Sequence, residues 1–158
     1  MQSRTYNFRT MKEPVIRAPR PKEIEALIKI WLDGNTQAHS FVRPDYWLNH
    51  IDHMRQALPQ AEVYVCEVNG EIAGFIGLDG NYIAGLFVGG SHQSQGIGTS
   101  LIECIKQQHF TLTLAVYKKN EKALQFYRKH SFVVTGERID TKTDETELLM
   151  RWSRACPI

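Results

Sequence analysis

The 158-residue chain lacks several features that would assign it to a specialised class of protein. Its three cysteines, Cys66, Cys104 and Cys156, are far apart and odd in number, which argues against a disulfide framework and favours a reducing compartment. It has no hydrophobic run long enough to span a membrane and no apolar signal-peptide core. A net charge of +2, without a basic stripe, argues against a nucleic-acid partner. The sequence therefore predicts a cytoplasmic globular protein that binds neither membrane nor nucleic acid.

Apolar periodicity and turn signals organise most of the chain into one domain. Residues 1–13 are expected to form a loose extension, residues 14–153 a single domain, and residues 154–158 a C-terminal tail. Strands are predicted over 15–17, 62–68, 71–79, 82–88, 111–117, 132–138 and 147–152, and helices over 21–33, 44–58, 97–108 and 121–130. The order β-α-α-β-β-β-α-β-α-β-β predicts an α+β (mixed α/β) fold, with a central mixed, largely antiparallel sheet flanked by helices.

The most distinctive stretch joins the predicted strand that ends at Val88 to the predicted helix that begins near Ile97. Its loop carries Gln93, Gly96 and Gly98 in the spacing Gln-x-x-Gly-x-Gly. Backbone N–H groups at a helix N-terminus lack internal partners, and glycine lets a bulky anion approach the main chain. The stretch therefore predicts a cradle for a pyrophosphate. An ordinary strand-to-helix turn with closely packed glycines is the alternative.

Two other phosphate-binding loops do not fit this stretch. The loop of nucleotide triphosphatases needs Lys before its Ser or Thr, but Thr99 follows Gly98 directly. A dinucleotide fingerprint needs a third glycine, and Leu101 stands at that position. Nucleotide binding is therefore disfavoured.

A second motif follows the next predicted strand and reads Asn120-x-x-Ala-x-x-Phe126-Tyr127, with Ser131 and Phe132 further on. Together with the glycine loop it resembles the paired motifs of the GNAT N-acetyltransferase superfamily, Gln/Arg-x-x-Gly-x-Gly/Ala and Asn-x-x-Ala-x-x-Phe/Leu-Tyr-x-x-x-Gly-Phe. Their order, separation and predicted elements are those of the superfamily, and the resemblance covers about residues 15–152. The chain looks like a small single-domain bacterial member. Ser131 stands where the superfamily has glycine, which weakens the expected left-handed helix cap.

The resemblance implies an acetyl-CoA-dependent N-acetyltransferase that moves an acetyl group to a primary amine by direct attack. Leu86 and Val88 would offer N–H groups to the acetyl carbonyl and the pantetheine arm, and Asn120 would hydrogen-bond the pantetheine. Tyr127 would be catalytic, because its hydroxyl could protonate the leaving thiolate, although packing of helix onto sheet is its alternative role. The implied coenzyme A site consists of Leu86, Phe87, Val88, Gln93, Ser94, Gln95, Gly96, Ile97, Gly98, Thr99, Asn120, Phe126 and Tyr127.

The acceptor site is predicted from the composition of one loop and its neighbours. His39 and Phe41 lie in a connection between two predicted helices, and Tyr46 follows on the second helix. Loops with distinctive side chains commonly carry specificity, so these residues and Tyr82 are expected to border the acceptor amine. A loop that merely covers the core is the alternative.

The general base is not identified by the resemblance. Many relatives carry an acid on the strand before the second motif, but here Ala115 occupies that position. Asp79, His39, Tyr82 and Glu67 are candidates, and a chain of water molecules is a further alternative.

Two classes of function stay open on the sequence alone. The first is the N-acetyltransferase, with acetyl-CoA as co-substrate, no metal, and as acceptor a small molecule, a peptide terminus or a lysine. The second is a non-catalytic acyl-CoA-binding or sensing module, which the missing base favours and Tyr127 disfavours. Either protein is expected to be a monomer or a homodimer.

Overall fold

The computed structural model of the chain describes residues 13–155, so most of the predicted extension and the last three residues of the tail lie outside the described residues. The strands are β1 Val15–Arg17, β2 Glu62–Val68, β3 Glu71–Asp79, β4 Tyr82–Val88, β5 Thr111–Tyr117, β6 Val133–Asp140 and β7 Glu145–Ser153. The helices are α1 Ile24–Ala38, α2 Pro44–Leu48, α3 Ile51–Ala57, α4 Ile97–Lys106 and α5 Glu121–Lys129. Short 3₁₀ turns cover Pro21–Glu23, Leu58–Gln60 and Gly90–His92.

The strands form one seven-stranded sheet in the order β1-β2-β3-β4-β5-β7-β6. Only β4 and β5 are parallel, and the other neighbours pair antiparallel. The predicted α+β fold with a mixed, largely antiparallel sheet is confirmed. Five strands have the predicted bounds, and β6 and β7 differ from prediction by one or two residues at their ends.

The sequence predicts that the first helix ends before Gly34. In the structure, α1 continues to Ala38. A Cβ atom at residue 34 would lie 3.2 Å from the Phe87 ring, so glycine allows α1 to pack closely against β4. A glycine inside a helix costs about 1 kcal/mol relative to alanine. Packing against the sheet outweighs that local preference and extends α1 toward the predicted acceptor loop.

The predicted helix over 44–58 is divided into α2 and α3 at His50. The Nδ1 atom of His50 bonds the carbonyl oxygen of Tyr46, and the backbone N–H of His50 donates instead to Trp47 at 3.0 Å. A side chain that hydrogen-bonds a main-chain carbonyl competes with the backbone N–H that would bond the same carbonyl in a regular helix. His50 therefore has a structural role, because it separates α2 from α3.

The two faces of the sheet carry separate cores. On one face, α4 and α5 pack on the sheet through Leu101, Ile102, Ile105, Tyr127 and Phe132. On the other face, α1 to α3 pack through Leu27, Ile28, Trp31, Trp47 and Phe75. Within residues 13–155, no helix is long and apolar enough to cross a membrane.

Arg154 lies at the start of the predicted tail and is fixed to the domain. Its N–H donates to the carbonyl of Phe110 at 2.7 Å, and its guanidinium donates to the carbonyls of Lys106 and Gln107 at 2.8 and 3.0 Å. A cation at a helix C-terminus meets the negative end of the helix dipole. Arg154 therefore belongs to the folded unit and caps α4.

Candidate active site

Strands β4 and β5 separate after a short contact, which opens the middle of the sheet. They pair only at Tyr82 with Thr113 and at Ile83 with Leu114. The N–H of Thr113 also donates to the carbonyl of Asn81 at 3.0 Å. Beyond Ile83, β4 has no partner on this side.

An extra residue in β4 determines which backbone groups face this gap. Gly77 on β3 opposes Gly85, but the next residue, Leu78, opposes Ile83, so Ala84 forms a β-bulge. Successive residues of a strand direct their N–H and C=O groups to alternate edges. One extra residue therefore reverses the alternation from Gly85 onward.

Gly89 shows to which edge of β4 each N–H group points after the bulge. Its own N–H donates to the carbonyl of Ala73 on β3 at 2.7 Å. Residues one and three positions earlier direct their N–H groups to the opposite edge. The N–H groups of Val88 and Leu86 therefore point into the gap, where two donors meet no neighbouring strand.

The gap continues into a cleft of about 1060 Å³. Most of the sequence-predicted site residues line it, and the three that do not are Gln95, Phe41 and Tyr46. Gln95 is exposed and donates to the carbonyl of Ser91 at 3.3 Å, Phe41 packs edge-on against His39, and Tyr46 packs on Trp47. The predicted residues that line the cleft are Leu86, Phe87, Val88, Gln93, Ser94, Gly96, Ile97, Gly98, Thr99, Asn120, Phe126, Tyr127, His39 and Tyr82.

The glycine loop brings backbone donors to one end of the cleft. Ser94 and Gly96 have φ angles of 64° and 80°, and Gly96 is the N-cap residue of α4. The left-handed conformation at the N-cap is one that glycine adopts without strain. No side chain of the described residues caps α4, so the first N–H groups of the helix, from Ile97 to Thr99, have no internal partner.

Asn120 links the start of α5 to the loop after α1. Its Oδ1 atom accepts the N–H of Ala123 at 3.2 Å, and its Nδ2 atom donates to Nε2 of His39 at 3.0 Å. With Nε2 as acceptor, the hydrogen of neutral His39 lies on Nδ1, which is buried without a partner among the described residues. Burial lowers the pKa of His39 to about 4, so this ring is neutral near pH 7.

Tyr127 lies between the core and the cleft and is 8% exposed. Its ring packs edge-on against Phe126 and Phe132, at centroid distances of 5.3 and 5.5 Å. Burial raises the pKa of its phenol, and the neighbouring Tyr82 raises it further. The hydroxyl is therefore protonated at neutral pH and can act as a proton donor.

Part of the cleft lining is a row of side chains that crosses three strands. Tyr117 on β5 opposes Glu147 on β7, which in turn opposes Arg138 on β6. Directly opposed residues share one face of a sheet. Oε2 of Glu147 accepts from Nε and Nη2 of Arg138 at 3.3 and 3.1 Å, and the hydroxyl of Tyr117 donates to Asp140 at 2.8 Å. All three residues of the row line the cleft.

Asp140 is committed to structural contacts beside this row. Desolvation would raise the pKa of its carboxyl, but hydrogen bonds with Tyr117, the N–H of Lys142, Thr143 and the neighbouring Glu147 carboxyl outweigh burial and lower it. The carboxylate fixes the turn between β6 and β7 and orients the Tyr117 ring. It does not line the cleft.

The candidate bases occupy different parts of the molecule. His39 and Tyr82 line the cleft, whereas Asp79 and Glu67 do not, and Glu67 accepts a hydrogen bond from Arg17 at 3.2 Å. Sequence reasoning missed Glu147, which lines the cleft. Alternation in β7 indicates that Glu147 shares a face with Leu149, but only the position of β7 beside β5 places that face on the cleft.

The next question is whether side chains that could bind a metal ion lie close together. Within residues 13–155, no group of three or more His, Cys, Asp and Glu side chains is placed to hold a metal ion. The donors that line the cleft include backbone N–H groups, the Asn120 amide, hydroxyls and the cationic side chains of Lys119, Lys122, Lys129 and Arg138, which suit an anionic and polar ligand.

Comparison with known proteins identifies relatives along most of the chain. Residues 22–143 match the family model described as an acetyltransferase (GNAT) domain. The chain is 31% identical over 140 residues to the peptidyl-lysine N-acetyltransferase YiaC of Escherichia coli (strain K12), covering 87% of this chain and 96% of that protein. It is 33% identical over 122 residues to the peptidyl-lysine N-acetyltransferase YjaB of the same organism, covering 77% and 83%.

Solved structures agree with this assignment. The solution structure of apo-form YjaB from Escherichia coli matches with a TM-score of 0.80 at 30% identity, covering 90% of this chain and 99% of that chain. The PaiA N-acetyltransferase of Thermoplasma acidophilum in complex with coenzyme A matches with a TM-score of 0.73 at 18% identity, covering 89% and 99%, and supports the fold alone. Both curated relatives are named as N-acetyltransferases, which favours the enzyme over a non-catalytic acyl-CoA-binding module. The chain therefore belongs to the GNAT acetyltransferase family and is an acetyl-CoA-dependent N-acetyltransferase.

Proposed function

We propose that the enzyme acetylates lysine side chains of peptides or proteins by direct attack of the amine on acetyl-CoA bound in the cleft. The observation that carries this reaction is the gap between β4 and β5, where the N–H groups of Leu86 and Val88 are free of a neighbouring strand and Tyr127 lines the same cleft. Lysine as the acceptor is supported by YiaC and YjaB, of whose lengths this chain covers 96% and 83%.

The glycine loop fits the diphosphate of acetyl-CoA. The N–H groups from Ile97 to Thr99 lack internal partners, and the helix dipole of α4 makes this end of the cleft favourable for negative charge. Ser94 and Gly96, both with positive φ, shape the loop that leads to these donors. Asn120 keeps one Nδ2 hydrogen beyond its bond to His39, which it can donate to a pantetheine carbonyl.

Bound acetyl-CoA would supply an activated thioester. As the amine attacks, negative charge develops on the carbonyl oxygen, and the N–H groups of Leu86 and Val88 are positioned to stabilise it. One fixed donor of this kind is worth about 3 kcal/mol in comparable enzymes. Tyr127 then gives its phenolic proton to the leaving sulfur, a role that typically contributes 10²–10⁴-fold in rate.

The aromatic part of the cleft lining suits a lysine side chain. His39, Trp47 and Tyr117 present aromatic rings there, with His39 4.9 Å from Tyr117 and 5.4 Å from Trp47 between centroids. Rings of this kind pack along the methylene stem of a lysine while its charged head continues to polar groups. Because His39 is neutral near pH 7, it does not repel the incoming cation.

Three matched peptides test the acceptor. The first contains one lysine and a blocked N-terminus, the second replaces that lysine by glutamine, and the third has a free N-terminus and no lysine. Incubation with acetyl-CoA and mass spectrometry should show enzyme-dependent acetylation of the first peptide alone, above the rate without enzyme. Acetylation of the third peptide without the first, or of small amines only, would refute lysine as the acceptor.

Further properties are proposed on the sequence and the site together. The enzyme works in the cytoplasm as a monomer or homodimer, without a metal and without nucleic acid. A metal chelator should leave the rate of the lysine-peptide reaction unchanged, and a loss that zinc or magnesium restores would contradict the metal-free mechanism.

A further inference from the structure

Acetyl transfer to a lysine requires that the amine lose a proton before it attacks. The ordinary pKa of lysine is about 10.4, so nearly all of the side chain is protonated at neutral pH. Many members of the superfamily carry an acid on the strand that corresponds to β5 for this purpose, but Ala115 offers only a methyl group. The chain must therefore use another group or rely on the small fraction of free amine.

Glu147 lies near the place that Ala115 leaves without an acid. Ala115 on β5 opposes Leu149 on β7, and Glu147 is two residues along the same strand and on the same face. Such diagonal neighbours are roughly 7–8 Å apart, a distance that a long side chain can bridge. The Glu147 side chain is 13% exposed and lines the cleft.

The other carboxylates are less well placed. Among the described residues, only Glu121 and Glu147 are acids that line the cleft. Glu121 is exposed at the N-terminus of α5, directly after Asn120 and therefore on the coenzyme side. Asp140 accepts from Tyr117 at 2.8 Å and from the N–H of Lys142 at 3.0 Å, so its oxygens are occupied.

The contacts of Glu147 leave one oxygen available. Oε2 accepts both hydrogen bonds from Arg138, whereas Oε1 accepts none from the hydrogen-bond donors of residues 13–155. The guanidinium thus fixes the side chain through one oxygen, and the Asp140 carboxyl lies beside it. The titratable groups around Glu147 are Arg138 and Asp140 on β6, Tyr117 on β5, Tyr46 on α2 and Tyr82 on β4.

We propose that Glu147 is the general base of this enzyme and replaces, from β7, the acid that Ala115 does not provide. The inference rests on acetyl transfer to a protonated amine, as proposed above. Oε1 of Glu147 takes one proton from the ammonium, and the neutral nitrogen forms the C–N bond. The C–S bond breaks, its electron pair goes to sulfur, and Tyr127 protonates the sulfur. Tyr127 regains a proton from the attacking nitrogen through solvent, and Glu147 releases its proton to solvent, so each turnover yields amide, thiol and one proton.

The test compares Glu147→Gln with wild type on the best lysine peptide or, if no peptide reacts, on the best small amine. Glutamine can still accept from Arg138, so the fold and the acetyl-CoA affinity should be kept. At pH 7 we expect kcat/KM for the amine to fall about 10²–10⁴-fold. The loss should shrink about tenfold per pH unit toward the pKa of the amine, because free amine then no longer needs a base.

Two further variants separate chemistry from structure. Glu147→Asp keeps the acid on a shorter stem and should retain more activity than Glu147→Gln. Glu137→Gln removes an exposed carboxylate from the opposite face of β6 and should behave as wild type. Wild-type kcat/KM in Glu147→Gln would overturn the proposal. A loss with a higher KM and no recovery at high pH would also overturn it, because Glu147 would then only bind the ammonium.

This design separates failure of the base from failure of the lysine proposal. Wild-type enzyme that reacts with small amines but not with lysine peptides refutes lysine as the acceptor, yet still reports on Glu147 through those amines. Reaction with lysine peptides and a wild-type pH profile in Glu147→Gln refutes the base alone.

Discussion

Replacing Tyr127 by phenylalanine removes one oxygen atom from the cleft and keeps the ring in the core. The ring packs against Phe126 and Phe132, and those contacts remain in Tyr127→Phe. Within residues 13–155, the hydroxyl has no hydrogen-bond partner whose loss would destabilise the fold. We therefore expect the free energy of unfolding to change by no more than about 0.5 kcal/mol.

The effect on catalysis should be much larger. Burial and the neighbouring Tyr82 raise the pKa of Tyr127, so the wild-type phenol is protonated throughout the usual assay range. A positioned proton donor contributes about 10²–10⁴-fold, which corresponds to about 3 to 5 kcal/mol of transition-state stabilisation. Acetyl-CoA should bind as before, because the main-chain donors and Asn120 are unchanged. The loss should therefore appear in kcat.

The measurement is release of free thiol at saturating acetyl-CoA, with affinity determined separately by calorimetry. Tyr64→Phe is a matched control, because Tyr64 bonds Glu62 and Gln108 and does not line the cleft. A Tyr127→Phe enzyme with wild-type kcat would refute the role of proton donor and leave this residue with a packing role. A weaker acetyl-CoA affinity with unchanged kcat would assign it to binding instead.

Three further predictions concern other parts of the fold. In Gly98→Ala, the new Cβ would lie 3.1 Å from the Phe126 ring, so the ring should move into the cleft. Acetyl-CoA binding measured by calorimetry should then weaken at least about tenfold. Gly77→Ala, whose new Cβ would have no atom within 4 Å, is the control. Ser131 has a φ of 68°, so Ser131→Gly should raise the free energy of unfolding in urea by about 0.5–1 kcal/mol, whereas Ser131→Ala should not. His39 has a pKa of about 4 in the fold and 6.5 as its ordinary value, so the unfolded chain binds the proton first. Stability should therefore fall by up to about 3 kcal/mol as pH drops from 6.5 to 4, and His39→Gln should flatten this part of the pH curve.

Local signals were sufficient for the strands. Asn69 and Gly70 have φ angles of 52° and 80°, as a tight hairpin turn between β2 and β3 requires, and the dipeptide predicts that turn directly. A fixed turn also fixes the register of the two strands. The register then determines which residues of each strand lie on which face of the sheet. The glycine loop was located in the same way, because its glycines separate an apolar strand from a helical pattern.

The helices show where local signals fail. Glycine usually ends a helix, but Gly34 lies inside α1 and allows the helix to approach Phe87. This contact joins residues that are far apart in sequence. His50 has an ordinary helical propensity, but its side chain takes the carbonyl of Tyr46 and divides the helix. In both cases a specific contact outweighs a preference of about 1 kcal/mol or less, and composition does not reveal that contact.

The predicted coenzyme residues come from two motifs of the sequence, whereas Glu147 belongs to neither motif. Its position depends on β7 lying between β5 and β6, which reverses the chain order of the last two strands. If β6 lay beside β5, a residue of β6 rather than Glu147 would oppose Tyr117. Sequence alternation indicates which residues share a face, but the neighbours across that face are set by strand order.

The bulge at Ala84 shows how one residue can determine which backbone groups face the cleft. Asn81 and Gly89 are an even number of positions apart along the chain, so in a regular strand both would direct their polar groups to the same edge. Instead the carbonyl of Asn81 bonds β5 and the N–H of Gly89 bonds β3. Without the extra residue, either β4 would lose its bonds to β3 or the N–H groups of Leu86 and Val88 would be used by β3. The bulge keeps the sheet paired on one side and leaves two donors free on the other, where the acetyl carbonyl is proposed to bind.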